Sequence, residues 1–210
     1  MELREKNKGK KIAIVAQGPG FEKCPFDKET WGLNMGLMRM KRVDRIFMMD
    51  PIEDKTAVKN GEFTVEQIIK KCNDEKIPMV SAYPYPSAET LEPYPIHEIV
   101  DGLGSDYFSN TIAYMIAYAI YTGVESIDLW GVNQATHSEY MYHKGCVEFW
   151  IGMAVGMGVN IAVCGGMSHV LRNVKKITVE KEGKALMQFI PTGIMYGYRK
   201  SYQEVLKDNQ

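Results

Sequence analysis

The 210-residue sequence predicts an α/β protein, a Rossmann-like and mostly parallel sheet with helices on both faces, followed by a small C-terminal β-hairpin/helix appendage. Three observations predict it. Short apolar runs alternate with longer stretches of helical periodicity, as βαβ units require. The first run, Lys11 to Ala16 (KIAIVA), is nearly continuous in apolar residues instead of alternating, which is how a strand covered on both faces reads. It stops abruptly at Gln17-Gly18-Pro19-Gly20, a glycine turn.

Each element follows in chain order. Further strands are expected at Thr30 to Leu33, Val43 to Met49, Pro78 to Ser81, Ser126 to Trp130 and Asn160 to Cys164, and helices at Val65 to Asn73, Asn110 to Thr122 and Tyr142 to Met157. Ser109 or Asn110 can cap the second helix and Gly123 can stop it. Apolar or aromatic residues surround that helix from Ile112 to Tyr121, so it should be the most buried one, with the tail after Ser168 as its cover. Ser81 to Asp106 breaks the pattern: Tyr83-Pro84-Tyr85-Pro86 and Pro93-Tyr94-Pro95 read as a lid or a wandering surface loop, with tyrosines that either stack on a ligand or pack the loop down. Lys176 to Lys181 and Ala185 to Ile190 around Glu182-Gly183-Lys184 read as a hairpin. Residues 1–167 are therefore expected to form a nucleotide-binding domain, and 168–210 an appendage on the same core.

Charge and composition exclude several classes. Twenty-five basic and 26 acidic side chains leave a formal charge of −1, which argues against general nucleic-acid or membrane binding and for a small-molecule partner. The longest apolar runs, Thr111 to Val124 and Phe149 to Val159, fall short of the roughly 18 to 20 residues of a bilayer span. The charged N-terminus has no apolar core behind it, and Cys24, Cys72, Cys146 and Cys164 form no C-x-x-C, so a cytoplasmic protein with reduced thiols is expected. A homo-oligomer is compatible with the sequence.

A glycine turn after a buried strand offers backbone N–H groups to a phosphate, or is a plain reversal. Lys23 stands where a G-x-G-x-x-G fingerprint needs its third glycine, and Asp50 lies 30 residues past Gly20 instead of about 20, so a dinucleotide is not expected. There is no G-x-x-x-x-G-K-[ST] either.

NTIAYMIAYAIYTGVESIDLWGVN at 110–133, AQGPG at 16–20 and GLN at 32–34 resemble, in order and spacing, the bacterial sialyltransferases of glycosyltransferase family 42. The similar family motifs are a G-N-G-P-S turn, a later Cys-Asn, and a Thr-Ser-Gly helix leading to a strand that ends in Gly-Ile-Asp. The same unit recurs, by resemblance, in archaeal 6-hydroxymethylpterin pyrophosphokinases, flagellin-associated accessory proteins and uncharacterised phage proteins. The resemblance spans about residues 11 to 165 and implies a nucleotide site at Gln17, Gly18, Pro19, Gly20, Asn34, Asn110, Thr111 and Asn133. Gln17 replaces the family's asparagine, Gly20 its serine, Thr111 a serine and Asn133 an aspartate, while Asn34 matches. Amides and hydroxyls can take over most of the lost hydrogen bonds; Gly20 cannot.

His137-Ser138 falls within one residue of the family's catalytic histidine, which is also followed by serine, before a Val147-Glu148-Phe149 segment similar to the family's Leu-Glu-Phe. The resemblance makes His137 a general base, a role that suits an imidazole, since a sugar hydroxyl must lose its proton as the new bond forms. His143 is its competitor. With Glu139 and His137 it could also make a metal trio, yet the spacing fits no usual ligand motif, so no metal is expected. Glu148, within an apolar segment, could pair with Lys144, anchor a sugar, or sit on a solvated helix edge. Asp50 ends a strand, where ligands of open sheets bind, and could take ribose or acceptor hydroxyls.

These residues imply a nucleotide-dependent transferase: metal-independent glycosyl transfer from a CMP-linked or related nucleotide sugar, with the nucleotide as ligand and no other cofactor. Two alternatives stay open. Pyrophosphoryl transfer to a small alcohol would need Mg²⁺ at Asp50, Glu53 and Asp54. A nucleotide-sequestering protein would keep the pocket and turn over nothing.

Overall fold

The computed structural model describes residues 3–50, 63–134, 140–165, 170–171 and 176–177. Among these, eight strands form one sheet: β1 (Lys11–Val15), β2 (Glu29–Leu33), β3 (Arg45–Met48), β4 (Met79–Ser81), β5 (Leu91–Pro93), β6 (Ser126–Trp130), β7 (Asn160–Val163) and β8 (Lys176–Ile177). Their order is β5-β4-β3-β2-β1-β6-β7-β8. All pairs are parallel except β7 with β8. Val15 lies opposite Gly32 of β2 on one side and Trp130 of β6 on the other. The chain builds outward from one edge of β1 through β5 and then returns to its other edge, so the topological switch point falls between β1 and β6.

Four helices cover this sheet among the described residues: α1 (Val65–Glu75), α2 (Ile96–Leu103), α3 (Thr111–Tyr121) and α4 (Tyr140–Gly156). Successive residues of a strand point to opposite faces, and both faces of the central strands are dry. Ile12 and Ile14 join the core with α3 and α4, whereas Ala13 and Val15 join the core with α1. Phe47 and Ile46 divide in the same way on β3. This double coverage is the physical reason for the continuous apolar run at Lys11 to Ala16.

α3 carries no charged residue and buries nine of its eleven. Asn110 caps it, its side-chain oxygen accepting the Ala113 N–H at 3.0 Å. Gly123, at φ +85°, turns the chain out so that the Val124 N–H donates to the Ala119 carbonyl at 3.0 Å. The expected tail cover lies almost wholly outside the described residues, although Val170 is buried in the same core. Among the described residues, α2 and α4 pack against α3.

The segment 81–106 is not a wandering loop: it contains β5 and α2. β5 is the edge strand, where the missing N–H of Pro93 breaks no inner ladder, and Pro95 stands at the start of α2, where a helix tolerates it. Tyr94 is buried and its hydroxyl donates to the Tyr114 carbonyl at 3.0 Å, whereas Tyr83 is exposed. Glu92 holds this edge to the rest of the protein through Lys6 at 2.8 Å and the buried Arg45. Of the expected hairpin, Lys176–Ile177 is described and pairs with β7; Ala185 to Ile190 lies outside the described residues.

Candidate functional site

A cavity of about 660 Å³ opens at the switch point, beyond the carboxyl ends of β1, β2, β3 and β6 and against the start of α3. Its volume is that of a small-molecule site. Gln17, Gly18, Pro19, Asn34, Asp50, Asn110, Thr111 and Asn133 all line it, and so does His143.

Its floor is made by two glycines. The Gly18 N–H donates to the Gly131 carbonyl at 2.9 Å, which locks the loop after β1 to the loop after β6. A Cβ on Gly18 would strike the Gly131 carbonyl oxygen. One on Gly131, already at φ +63°, would lie 2.6 Å from the Ala16 carbonyl oxygen and 2.8 Å from that of Gly18. Only glycine permits this approach.

The turn itself is not an open phosphate cradle. The Gly18 N–H is taken by Gly131, the Gly20 N–H donates to the Glu22 carboxylate at 3.2 Å, the Phe21 N–H returns to the Gly18 carbonyl at 3.3 Å, and Pro19 has none. Gly20 is not among the cavity's lining residues; it packs against Gly165.

Asp50 organises the opposite wall. Its Oδ2 accepts the Thr111 hydroxyl at 2.8 Å and the Asn34 Nδ2 at 3.4 Å. Asn34 reaches it from the left-handed region, at φ +47°. A carboxylate at the first turn of α3 also complements the positive end of the helix dipole. Burial first, and then the charge of Asp50, push the Tyr114 hydroxyl above its ordinary range.

Among the described residues, four buried polar atoms of the cavity's residues have no hydrogen-bond partner: Asn34 Oδ1, Asn133 Oδ1, Gln134 Oε1 and His143 Nδ1. Gln134 is 5% exposed. Each such atom costs roughly 1 to 3 kcal/mol unless something pairs with it. Sequence reasoning missed Gln134, although its place just past Asn133 at the end of β6 meets the strand-end rule that picked out Asp50.

Other expected residues go elsewhere. Glu148 binds Lys144 at 3.2 Å and accepts the Leu171 N–H at 2.7 Å, so its carboxylate ties α4 to the following chain and does not line the cavity. His137, Glu53, Asp54 and Glu139 lie outside the described residues. Among the described residues no cluster of His, Cys, Asp and Glu could hold a metal ion, and no helix is long and apolar enough to cross a membrane.

Together, the sheet order and the placement of this cavity define a Rossmann-like α/β protein with a pocket at its switch point. Among solved structures the chain is similar to the sialyltransferase CstII from Campylobacter jejuni in complex with the substrate analogue CMP-3FNeuAc. The TM-score is 0.51 at 11% identity, over 75% of this chain and 81% of that one. A CST-II variant in complex with CMP is similar to the same degree, with a TM-score of 0.51 at 12% identity over 75% and 82%. At these identities the likeness is one of fold. No protein-family model and no curated protein matches the sequence.

Proposed function

We propose that the chain is a glycosyltransferase whose cavity takes a nucleoside-monophosphate-linked sugar, CMP-linked or closely related. The observation that carries this reading is the group of four partnerless buried polar atoms on one cavity at the switch point, three of them amide oxygens. They ask for ligand donors, and a nucleoside offers ribose hydroxyls and a base amine. The fold neighbours crystallised with CMP and a CMP-sugar analogue support the choice of nucleotide. Among the described residues Asp50 accepts through Oδ2, and Oδ1 is assigned to a ligand hydroxyl.

Transfer needs a base for the acceptor hydroxyl. His143 is the imidazole among the described cavity residues, and His137 is the one that the family resemblance implies. No step requires a metal ion; the chelator arm below tests that.

The experiment is a thermal-shift series with CMP, other nucleoside mono- and diphosphates, and Mg²⁺ or chelator, followed by a transfer assay with a CMP-linked sugar. A ligand at 100 times its dissociation constant adds about 2.7 kcal/mol of stability. Stabilisation by CMP and chelator-insensitive transfer are expected. Removing the true base should lower turnover about 10² to 10⁴-fold, so His137→Ala and His143→Ala identify it. No stabilisation by any nucleotide would sink the reading. Stabilisation only with Mg²⁺ would point to pyrophosphoryl transfer, and binding without transfer to a sequestering protein.

A further inference from the structure

We propose that Arg39 and Gln17 form an anion subsite at the cavity mouth, which takes the phosphate of the nucleotide and orients the ligand with its hydroxyl and amine donors toward Asp50. This rests on the nucleotide reading and adds the direction in which the ligand lies.

Among the described cavity-lining residues Asp50 is the one formal charge, and it is negative. It already occupies the positive end of α3, through the Thr111 hydroxyl. A phosphate placed there would meet a carboxylate. The glycine turn offers no substitute, because the N–H groups of Gly18, Gly20 and Phe21 are spent on Gly131, Glu22 and Gly18.

A cation reaches one lining residue, Gln17, from outside the cavity's lining. Arg39 ends the 3-10 turn Asn34–Met38, and its Nη1 donates to the Gln17 Oε1 at 3.0 Å. Among the described residues Arg42 and Arg45 have carboxylate partners in Asp44 and Glu92, whereas the partner of Arg39 is this neutral amide. Arg39 is exposed. A guanidinium only donates, so the contact fixes the Gln17 amide: Oε1 faces Arg39, and both Nε2 hydrogens are left for an acceptor. A phosphate oxygen beside Gln17 therefore meets a preset N–H and the remaining N–H groups of Arg39, a pairing that guanidinium geometry favours. The same 3-10 turn carries Asn34 at its other end, bonded to Asp50. One short element thus sets both poles of the cavity.

The test is calorimetric titration of cytidine and of CMP into the wild type, Arg39→Gln and Arg39→Lys, at low and moderate salt. The wild type should bind CMP about 10 to 100-fold more tightly than cytidine, the range for charge-assisted hydrogen bonds, and the ratio should shrink as salt rises. Arg39→Gln should bring the ratio close to one and leave cytidine affinity unchanged; Arg39→Lys should keep part of it. Melting of the unliganded variants reports their folding. An unchanged ratio in Arg39→Gln, or equal losses for cytidine and CMP, overturns the subsite and leaves the nucleotide reading standing. Wild-type protein that binds neither compound overturns both.

Discussion

α1 and α3 are each eleven residues long and each lies on one face of the same sheet, yet they solve burial in opposite ways. α1 buries Val65, Ile68, Ile69 and Cys72, a single stripe at helical spacing, and gives its other faces to lysine, glutamate and aspartate. α3 has no charged residue, buries nine positions, and lies against α2, α4 and β3. The difference teaches where the protein keeps its rigidity. α1 is a lid on one side of the sheet. α3 is an internal strut, and Asn110 and Thr111 at its N-terminal end are delivered to the cavity by a helix buried at nine of its eleven positions.

The largest expected effect tests that rigidity. Ile116 is fully buried within α3, so Ile116→Asp would place an unpaired charge in the core and abolish cooperative folding. A soluble variant with a sharp thermal transition would show that α3 is not the strut. On α1 the equivalent probe is milder: Ile68 is also fully buried, but on the lid, and Ile68→Ala should cost about 2 to 4 kcal/mol while the protein still folds and still binds ligand. Denaturant melts of the two variants side by side read the contrast. Loss of ligand binding in a folded Ile68→Ala variant would couple the lid to the cavity and weaken the distinction.

Much of this contrast was legible in the sequence because it is a matter of periodicity. The stripe at Val65, Ile68, Ile69 and Cys72 and the encircling apolar residues of α3 can be read without coordinates. Several cavity residues could be located from the element pattern, since Asp50 follows a strand and Asn110-Thr111 open a helix, while Asn133 was implied by the family resemblance. What could not be read was the choice of partner. Nothing in Gly18-Pro19-Gly20 reveals that Glu22 folds back to take the Gly20 N–H, which is why the turn looked like a phosphate cradle. Arg39 lies 22 residues from Gln17, and only the 3-10 turn brings them together. Glu148 allows three readings, and the structure shows the pair with Lys144, together with a backbone N–H from Leu171 that no sequence pattern announces. Prolines misled for a different reason: they exclude inner strands and helix interiors, but β5 is an edge and Pro95 opens α2.

A middle-sized effect sharpens the comparison at the helix starts. Both helices use a side-chain cap. Thr64 accepts the Gln67 N–H at 3.3 Å and receives Gln67 Oε1 on its own N–H at 2.9 Å, and Asn110 accepts the Ala113 N–H at 3.0 Å. Asn110 has a second duty, since its Nδ2 donates to the His143 carbonyl at 3.4 Å beside the cavity. Thr64→Ala should cost about 1 kcal/mol and leave the CMP-induced thermal shift intact. Asn110→Ala should cost about 1 to 2 kcal/mol and also erase most of that shift. Equal ligand responses in both variants would mean that the cap of α3 is structural only.

The smallest effect concerns the charges that α1 has and α3 lacks. Lys70 and Asp74 are paired at 2.7 Å, but their side chains are 75% and 60% exposed, so water and salt screen most of the attraction. Their order is also the less favourable one. A base four residues before an acid sets the acid near the negative end of the helix, against the dipole. Lys70→Ala should therefore change stability by no more than about 0.3 kcal/mol. Exchanging the two residues, Lys70→Asp with Asp74→Lys, should raise it by a few tenths, because each charge then faces the helix end that attracts it. Precise denaturant titrations at low and high salt would resolve the pair of variants. A loss above about 1 kcal/mol in Lys70→Ala would mean that α1 depends on its exposed face as well as on its buried stripe, and the contrast with α3 would then be one of chemistry and not of burial.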